Sequence, residues 1–130
     1  MSDNQGKLIL IVDDEEAIVL LLETILGVYN YRSESCMEPQ KALEKAIELK
    51  PDLIILDIAM PGMDGYEICQ KLKNTPETSS IPVLMITALA LIQDKKRALE
   101  SGADGFIFKP FNPQIVVAEI EKLLAQNSPQ

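Results

Sequence analysis

Five strand-like segments alternate with helix-like segments along this chain of 130 residues. They are Lys7–Val12, Tyr31–Cys36, Asp52–Leu56, Ile81–Ile86 and Gly105–Phe108. Short apolar runs rich in branched residues are typical of buried parallel strands, and the more polar Tyr31–Cys36 suits a sheet edge. The alternation predicts a parallel sheet with helices on both faces. A closed barrel needs about 250 residues, so we expect an open sheet.

Amphipathic segments follow the strands and predict five helices. The first is opened by the acidic run Asp13–Glu16, where negative charge favours a helix N-terminus, and Gly27 is its predicted end. A second begins at Pro39, and the others cover about Tyr66–Asn74, Leu91–Ser101 and Pro113–Gln126. The apolar spacing predicts the inward faces of the first and last helices: Ile18, Leu21, Leu22, Ile25 and Leu26, and Ile115, Val116, Ile120, Leu123 and Leu124.

Residue counts exclude several kinds of site. The chain has no His, so it contains neither a His-dependent catalytic triad nor a His metal site. Lys and Arg number 12 against 20 Asp and Glu, and the formal net charge of −8 argues against direct binding of nucleic acid.

Chain organisation points to one domain and no membrane association. No apolar stretch approaches the length of about 18 residues that spans a bilayer, and the N-terminus lacks the apolar core of a signal peptide. Cys36 and Cys69 form no recognisable framework, so we expect a reduced, cytoplasmic setting. We expect a flexible N-terminus at residues 1–6, one domain at residues 7–125, and a polar tail or the start of a linker at residues 126–130.

Polar side chains stand at the ends of four predicted strands: Asp13 and Asp14, Asp57, Thr87, and Lys109. Ligands of open α/β sheets bind at that edge, so we expect these side chains to converge. Two carboxylates about 4 Å apart repel by about 4 kcal/mol at an effective dielectric of about 20, and one Lys cannot balance three of them. A Mg²⁺ ion can balance the three carboxylates, while the ammonium of Lys109 and the hydroxyl of Thr87 are suited to bind phosphoryl oxygens. Singly each residue is an ordinary cap or turn residue; their joint placement predicts a carboxylate that accepts a phosphoryl group.

The motifs resemble those of the receiver domain of two-component response regulators, over Lys7 to about Ala125. They are Val12–Glu15, Leu56–Gly65, Ile86–Ala88, Gly102–Gly105 and Lys109–Phe111. The resemblance implies a three-layer, flavodoxin-like fold with five helices and an open five-stranded parallel sheet of strand order 2-1-3-4-5. It also implies phosphorelay signalling by a domain that is not a general enzyme and catalyses only its own phosphorylation and slow dephosphorylation.

The resemblance assigns a role to each site residue. Asp57 is the expected phosphoacceptor, Asp14 a direct ligand of Mg²⁺ (or Mn²⁺), and Asp13 a ligand mainly through water. Asp57 and the backbone carbonyl of Ala59 complete the expected metal site, and no other cofactor is implied. Lys109 is expected to pair with the phosphoryl group.

The resemblance also names a switch and a control of phosphoryl lifetime. Thr87 is expected to hydrogen-bond to the phosphoryl group, and Phe106 is the matching aromatic switch residue. The two positions that tune dephosphorylation are Ala59 and Leu89, and neither can hold an attacking water by a hydrogen bond. We therefore expect no specially fast loss of the phosphoryl group.

The implied partners lie on both sides of the phosphorelay. Because the chain has no His, the phosphohistidine donor must be a sensor histidine kinase or a histidine phosphotransfer protein, although small phosphodonors could also serve. Phosphorylation is expected to change the surface formed by the fourth helix, fifth strand and fifth helix (the α4-β5-α5 surface). That surface would bind an output domain, an effector protein or a second phosphorylated copy.

Three other functions compete with this interpretation. A phosphatase of the haloacid dehalogenase type would need a second Asp where Ala59 stands. A flavodoxin-like FMN carrier would need Gly, Ser or Thr in the first loop, which is acidic here. A receiver fold used only for docking would not need Asp57, Lys109 and Thr87 together.

Overall fold

The computed structural model describes residues 6–57, 65–87, 96–97, 99–109 and 111–126. Five parallel strands form one sheet in the order β2-β1-β3-β4-β5, which confirms the predicted topology. The strands are β1 (Leu8–Val12), β2 (Arg32–Cys36), β3 (Leu53–Asp57), β4 (Val83–Thr87) and β5 (Gly105–Phe108).

Helices cover both faces of this sheet. Those described as complete elements are α1 (Glu16–Val28), α2 (Ala42–Leu49), α3 (Gly65–Asn74) and the C-terminal helix (Pro113–Gln126). A 3₁₀ turn at Pro39–Lys41 leads into α2. Residues 96–97 and 99–100 are also helical and fall within the predicted fourth helix. Residues 91–95 and 98 of that predicted helix lie outside the described residues. Among the described residues, no helix has both the length and the apolar character that a bilayer crossing requires.

Two layers of core hold the helices against the sheet. Successive strand residues point to opposite faces, so β1 and β3, which are buried throughout, supply both layers. One layer joins Leu10, Val12, Ile54 and Leu56 to α2 and α3, and the other joins Ile9, Ile11, Leu53 and Ile55 to α1 and the C-terminal helix. The predicted three-layer architecture is therefore confirmed.

Two of the inward positions predicted for the helices are wrong. Leu21 is 46% exposed and Ile115 is 49% exposed, while Val19 and Val117 are buried. Val19 shares a helix face with Leu22 and Leu26, three and seven residues further on, whereas Leu21 lies on the flank of that face. Because α1 is apolar on nearly every side, its spacing alone did not identify the packed face.

The end of α1 also differs from the prediction. Gly27 lies inside the helix, which continues to Val28. The chain reverses at Asn30, whose φ of 70° is in the left-handed region that Asn tolerates better than most residues. The reversal leads the chain into β2.

An ion pair between Lys73 and Asp104 lies at the amino-terminal end of β4. Lys73 Nζ lies 2.7 Å from Asp104 Oδ2 and donates to the Ile81 carbonyl at 2.8 Å. The same Asp104 oxygen accepts from the Val83 N–H at 2.8 Å, at the start of β4. Gly102 lies beside this pair with a φ of +97°, and a Cβ there would be 2.9 Å from Lys73 Cγ.

Candidate functional site

The carboxyl ends of β1, β3 and β5 bring Asp13, Asp57 and Lys109 together. Asp13 follows β1, Asp57 is the last residue of β3, and Lys109 follows β5. Lys109 Nζ donates to Asp57 Oδ2 at 2.8 Å across 52 positions of sequence. The pair is mostly buried, since the side chain of Asp57 is 1% exposed and that of Lys109 17%.

Backbone hydrogen bonds fix Asp13 at this edge. Its N–H donates to the Cys36 carbonyl at 3.2 Å, which extends the pairing of β1 with β2 by one residue. Its carboxylate Oδ1 accepts the Glu15 N–H at 2.9 Å, so the turn into α1 forms around the side chain. Asp13 is 2% exposed, and a second buried carboxylate therefore lies beside Asp57.

Burial and neighbouring charges shift the pKa values of Asp13 and Lys109. Burial raises the pKa of Asp13 from 3.8 to about 7; the Glu15 N–H opposes this rise and the charge of Asp57 adds to it. Burial alone would lower the pKa of Lys109, but the hydrogen bond and charge of Asp57, with the charges of Asp13 and Glu15, raise it overall. Lys109 is thus held as a cation, while Asp13 is ionised only at a cost.

Glu15 is the third acid that the structure places in the site. Carboxylate oxygens of Asp13, Glu15 and Asp57 all lie within 4.8 Å of one another. Asp14, the expected direct metal ligand, is half-buried and is not part of this cluster. The sequence carries a signal for Glu15, its place in the acidic run Asp13–Glu16, but that run is equally expected at the start of a helix.

The donor set fits a hard divalent cation. Among the described residues, these three carboxylates lie near one ammonium, that of Lys109, and two of the three, Asp13 and Asp57, are buried. Burial, with a smaller contribution from the charge of Asp57, raises the pKa of Asp13, so its ionised form would be favoured by a nearby cation. Oxygen donors of this kind are those that Mg²⁺ and Mn²⁺ prefer.

The structure describes only some of the remaining predicted site residues. Thr87 is the last residue of β4 and pairs with Phe108, so its backbone lies at the same edge as Asp57. Phe106 is half-buried, packs against the core on the α2 and α3 side, and contacts Phe108 edge to face with ring centroids 5.5 Å apart. Ala59 and Leu89 lie outside the described residues.

Comparison with known proteins gives a consistent result. The family model described as the response regulator receiver domain matches residues 9–121. The chain is 41% identical over 116 residues to the DNA-binding dual master transcriptional regulator RpaA of Synechocystis sp., covering 89% of this chain and 48% of RpaA. It thus spans about half the length of that curated relative.

Solved structures of receiver domains superpose closely on the chain. The signal receiver domain of a signal transduction histidine kinase from Syntrophus aciditrophicus gives a TM-score of 0.87 at 36% identity, covering 96% of this chain and 95% of that one. The BeF3-activated N-terminal receiver domain of Klebsiella pneumoniae RstA gives 0.83 at 28% identity, covering 91% and 98%.

Proposed function

The chain belongs to the response regulator receiver domain family, and from that premise we propose that Asp57 accepts a phosphoryl group from a phosphohistidine on a partner protein. The observation that carries the proposal is the contact of 2.8 Å between Lys109 Nζ and Asp57 Oδ2 at the carboxyl edge of the sheet. It places a buried nucleophile beside a fixed cation, which is the pairing that transfer of an anionic phosphoryl group requires.

The proposed transfer needs one bond to form and one to break. A carboxylate oxygen of Asp57 bonds to phosphorus as the bond from phosphorus to the histidine nitrogen breaks, and the nitrogen keeps that electron pair. Lys109 then faces phosphoryl oxygens and balances their charge. The proposed role of Thr87 is to donate a hydrogen bond to one of those oxygens.

Mg²⁺ is the proposed cofactor, with Mn²⁺ as a substitute. Asp14 and Asp57 would hold it directly and Asp13 mainly through water, together with the backbone carbonyl of Ala59. When bound, the ion supplies positive charge that Lys109 alone cannot provide against the phosphoryl oxygens.

The outer face of α1 supports a docking role for the donor. Leu20, Leu21 and Val28 are 55%, 46% and 72% exposed, an apolar surface on a chain with a net charge of −8. The helix begins directly after Glu15, whose carboxylate lies 3.4 Å from Lys109 Nζ. We therefore place the donor protein on α1, where an apolar contact would bring its phosphohistidine to the mouth of the site.

The proposed output surface lies on β5 and the C-terminal helix. An open groove of about 410 Å³ there is lined by Leu99, Asp104, Gly105, Phe106, Phe108, Glu119 and Lys122. Phe106 lines this groove and also packs against the core next to α3. Movement of Thr87 toward the phosphoryl group, followed by Phe106, would reshape the groove for an output domain, an effector or a second copy.

The proposal also covers the domain bounds, the reactions that the domain catalyses and its cellular setting. The domain covers residues 7–125 and catalyses only its own phosphorylation and dephosphorylation. Dephosphorylation is slow because the side chains of Ala59 and Leu89 offer no hydrogen bond to an attacking water. Cys36 and Cys69 are buried free thiols, which suits the reducing cytoplasm.

The proposal is tested by incubating the protein with Mg²⁺ and a small acyl phosphate and measuring its intact mass. We expect one phosphoryl adduct in the wild type and in Glu16→Gln, an exposed acid outside the cluster, and none in Asp57→Asn. An adduct that survives in Asp57→Asn would refute the assignment. Steady release of phosphate without an adduct would favour a phosphatase, and absorbance of a bound flavin would favour an FMN carrier.

A further inference from the structure

Lys109 has two carboxylate contacts among the described residues, and the second is with Glu15. Its ammonium lies 2.8 Å from Asp57 Oδ2 and 3.4 Å from Glu15 Oε1. Side-chain exposure rises from 1% at Asp57 through 17% at Lys109 to 59% at Glu15. Lys109 therefore lies between a buried carboxylate and one at the solvent-facing mouth of the site.

The backbone of Glu15 is held from two directions. Its N–H donates to Asp13 Oδ1 at 2.9 Å, which ties it to the site. Its carbonyl accepts from the Ile18 and Val19 N–H groups at 3.1 and 3.0 Å, which ties it to the first turn of α1. The helix N-terminus favours a negative charge at this position. The carboxylate thus projects from a fixed backbone at the mouth of the site.

The charge of Glu15 changes what the site attracts. When all are ionised, Asp13, Glu15, Asp57 and Lys109 carry a formal charge of −2, which a divalent cation cancels. Without Glu15 the charge is −1. The same carboxylate repels any anion that enters past it, because like charges at a few Å interact appreciably even in water.

We propose that Glu15 is a positioning residue, a role that builds on the proposed phosphoacceptor function. It holds Lys109 beside Asp57 in the resting protein, strengthens binding of a divalent cation and weakens binding of an anion. Cation binding is then favoured before the phosphoryl group enters. This role differs from that of Asp57, which forms the new bond.

The test compares Glu15→Gln with Glu16→Gln, which makes the same change of charge one residue away, outside the cluster and on an exposed side chain. Amide NMR titrations with Mg²⁺, without a phosphodonor, give the cation affinity. Titrations with beryllofluoride at saturating Mg²⁺ give the affinity for a phosphoryl mimic. We expect Glu15→Gln to weaken Mg²⁺ binding about fivefold and to tighten beryllofluoride binding about threefold, and Glu16→Gln to change each by less than about twofold.

A conservative variant separates charge from structure. Glu15→Asp keeps the charge and should bind Mg²⁺ within about twofold of the wild type. The proposal is overturned if Glu15→Gln matches Glu16→Gln, if both affinities of Glu15→Gln fall together, or if the wild type does not bind Mg²⁺. If Mg²⁺ binds and responds to Glu15 but acyl phosphate leaves no adduct on Asp57, the phosphoacceptor function fails while the role of Glu15 in cation binding stands.

Discussion

Replacing Asp13 by Asn should stabilise the protein when no divalent cation is present. Asp13 is 2% exposed and lies beside the buried carboxylate of Asp57. The Asn side chain keeps an oxygen that can accept the Glu15 N–H, so the turn into α1 is preserved. The substitution therefore removes a buried charge and little else.

The size of the effect follows from the raised pKa of Asp13. Folding shifts that pKa from 3.8 to about 7, so between these values only the folded state holds the proton. Wild-type stability consequently falls as the pH rises through this window, and the loss is complete above it. A pKa difference of about three between the unfolded and folded states corresponds to a free energy on the order of 4 kcal/mol.

Urea unfolding in EDTA measures this directly. At about pH 8, Asp13→Asn should be more stable than the wild type by about 4 kcal/mol, and at about pH 4 the two should agree within about 1 kcal/mol. Glu16→Gln, which removes an exposed acid, serves as the control for the change in net charge. A difference that is the same at both pH values would refute the reasoning, as would a less stable Asn variant at the higher pH.

Adding Mg²⁺ should narrow the difference in stability between the two proteins. A ligand that binds only the folded state stabilises it by about 2.7 kcal/mol at about 100 times its dissociation constant. The wild type should gain this near pH 8, and Asp13→Asn should gain much less. Equal gains in the two proteins would place the cation elsewhere.

Other predictions concern single side chains. Tyr31→Phe should raise the unfolding free energy by about 1 kcal/mol in urea, because the Tyr31 hydroxyl is buried without a hydrogen-bond partner among the described residues; a loss would mean that the hydroxyl is satisfied. Gly102→Ala should lower stability by about 1 to 3 kcal/mol in thermal unfolding, because position 102 has a φ of +97° and the added Cβ would lie 2.9 Å from Lys73 Cγ; an unchanged Tm would contradict this. Leu20→Asp should change stability by less than about 0.5 kcal/mol but slow transfer from a phosphohistidine protein and not from acyl phosphate; equal slowing of both would remove α1 as the docking face.

The sequence predicted the sheet and the meeting of Asp57 with Lys109 for one physical reason. Parallel strands end at a common edge, so any residue that follows a strand is placed there without knowledge of packing. Strand alternation determined the topology, and the topology determined which side chains converge.

Features that depend on packing angles were not predictable in this way. Val19 and Leu21 are equally apolar, and only contact with the sheet decides that Val19 is buried. The reach of Glu15 to Lys109 depends on how α1 leaves β1, since the carboxylate is 3.4 Å from a residue 94 positions away. Residue spacing within the acidic run could not distinguish Glu15 from Asp14 as a member of the cluster.

Identifying the phosphorylated residue tests the central claim most directly. After reaction with a phosphodonor and Mg²⁺, borohydride reduces an aspartyl phosphate to homoserine, and peptide mass spectrometry locates it. We predict homoserine at position 57 alone, and none when EDTA is present during the reaction. Homoserine at position 13 or 14, or a modified Glu15, would contradict the assignment of Asp57, and so would a chain that carries no reducible phosphoryl group.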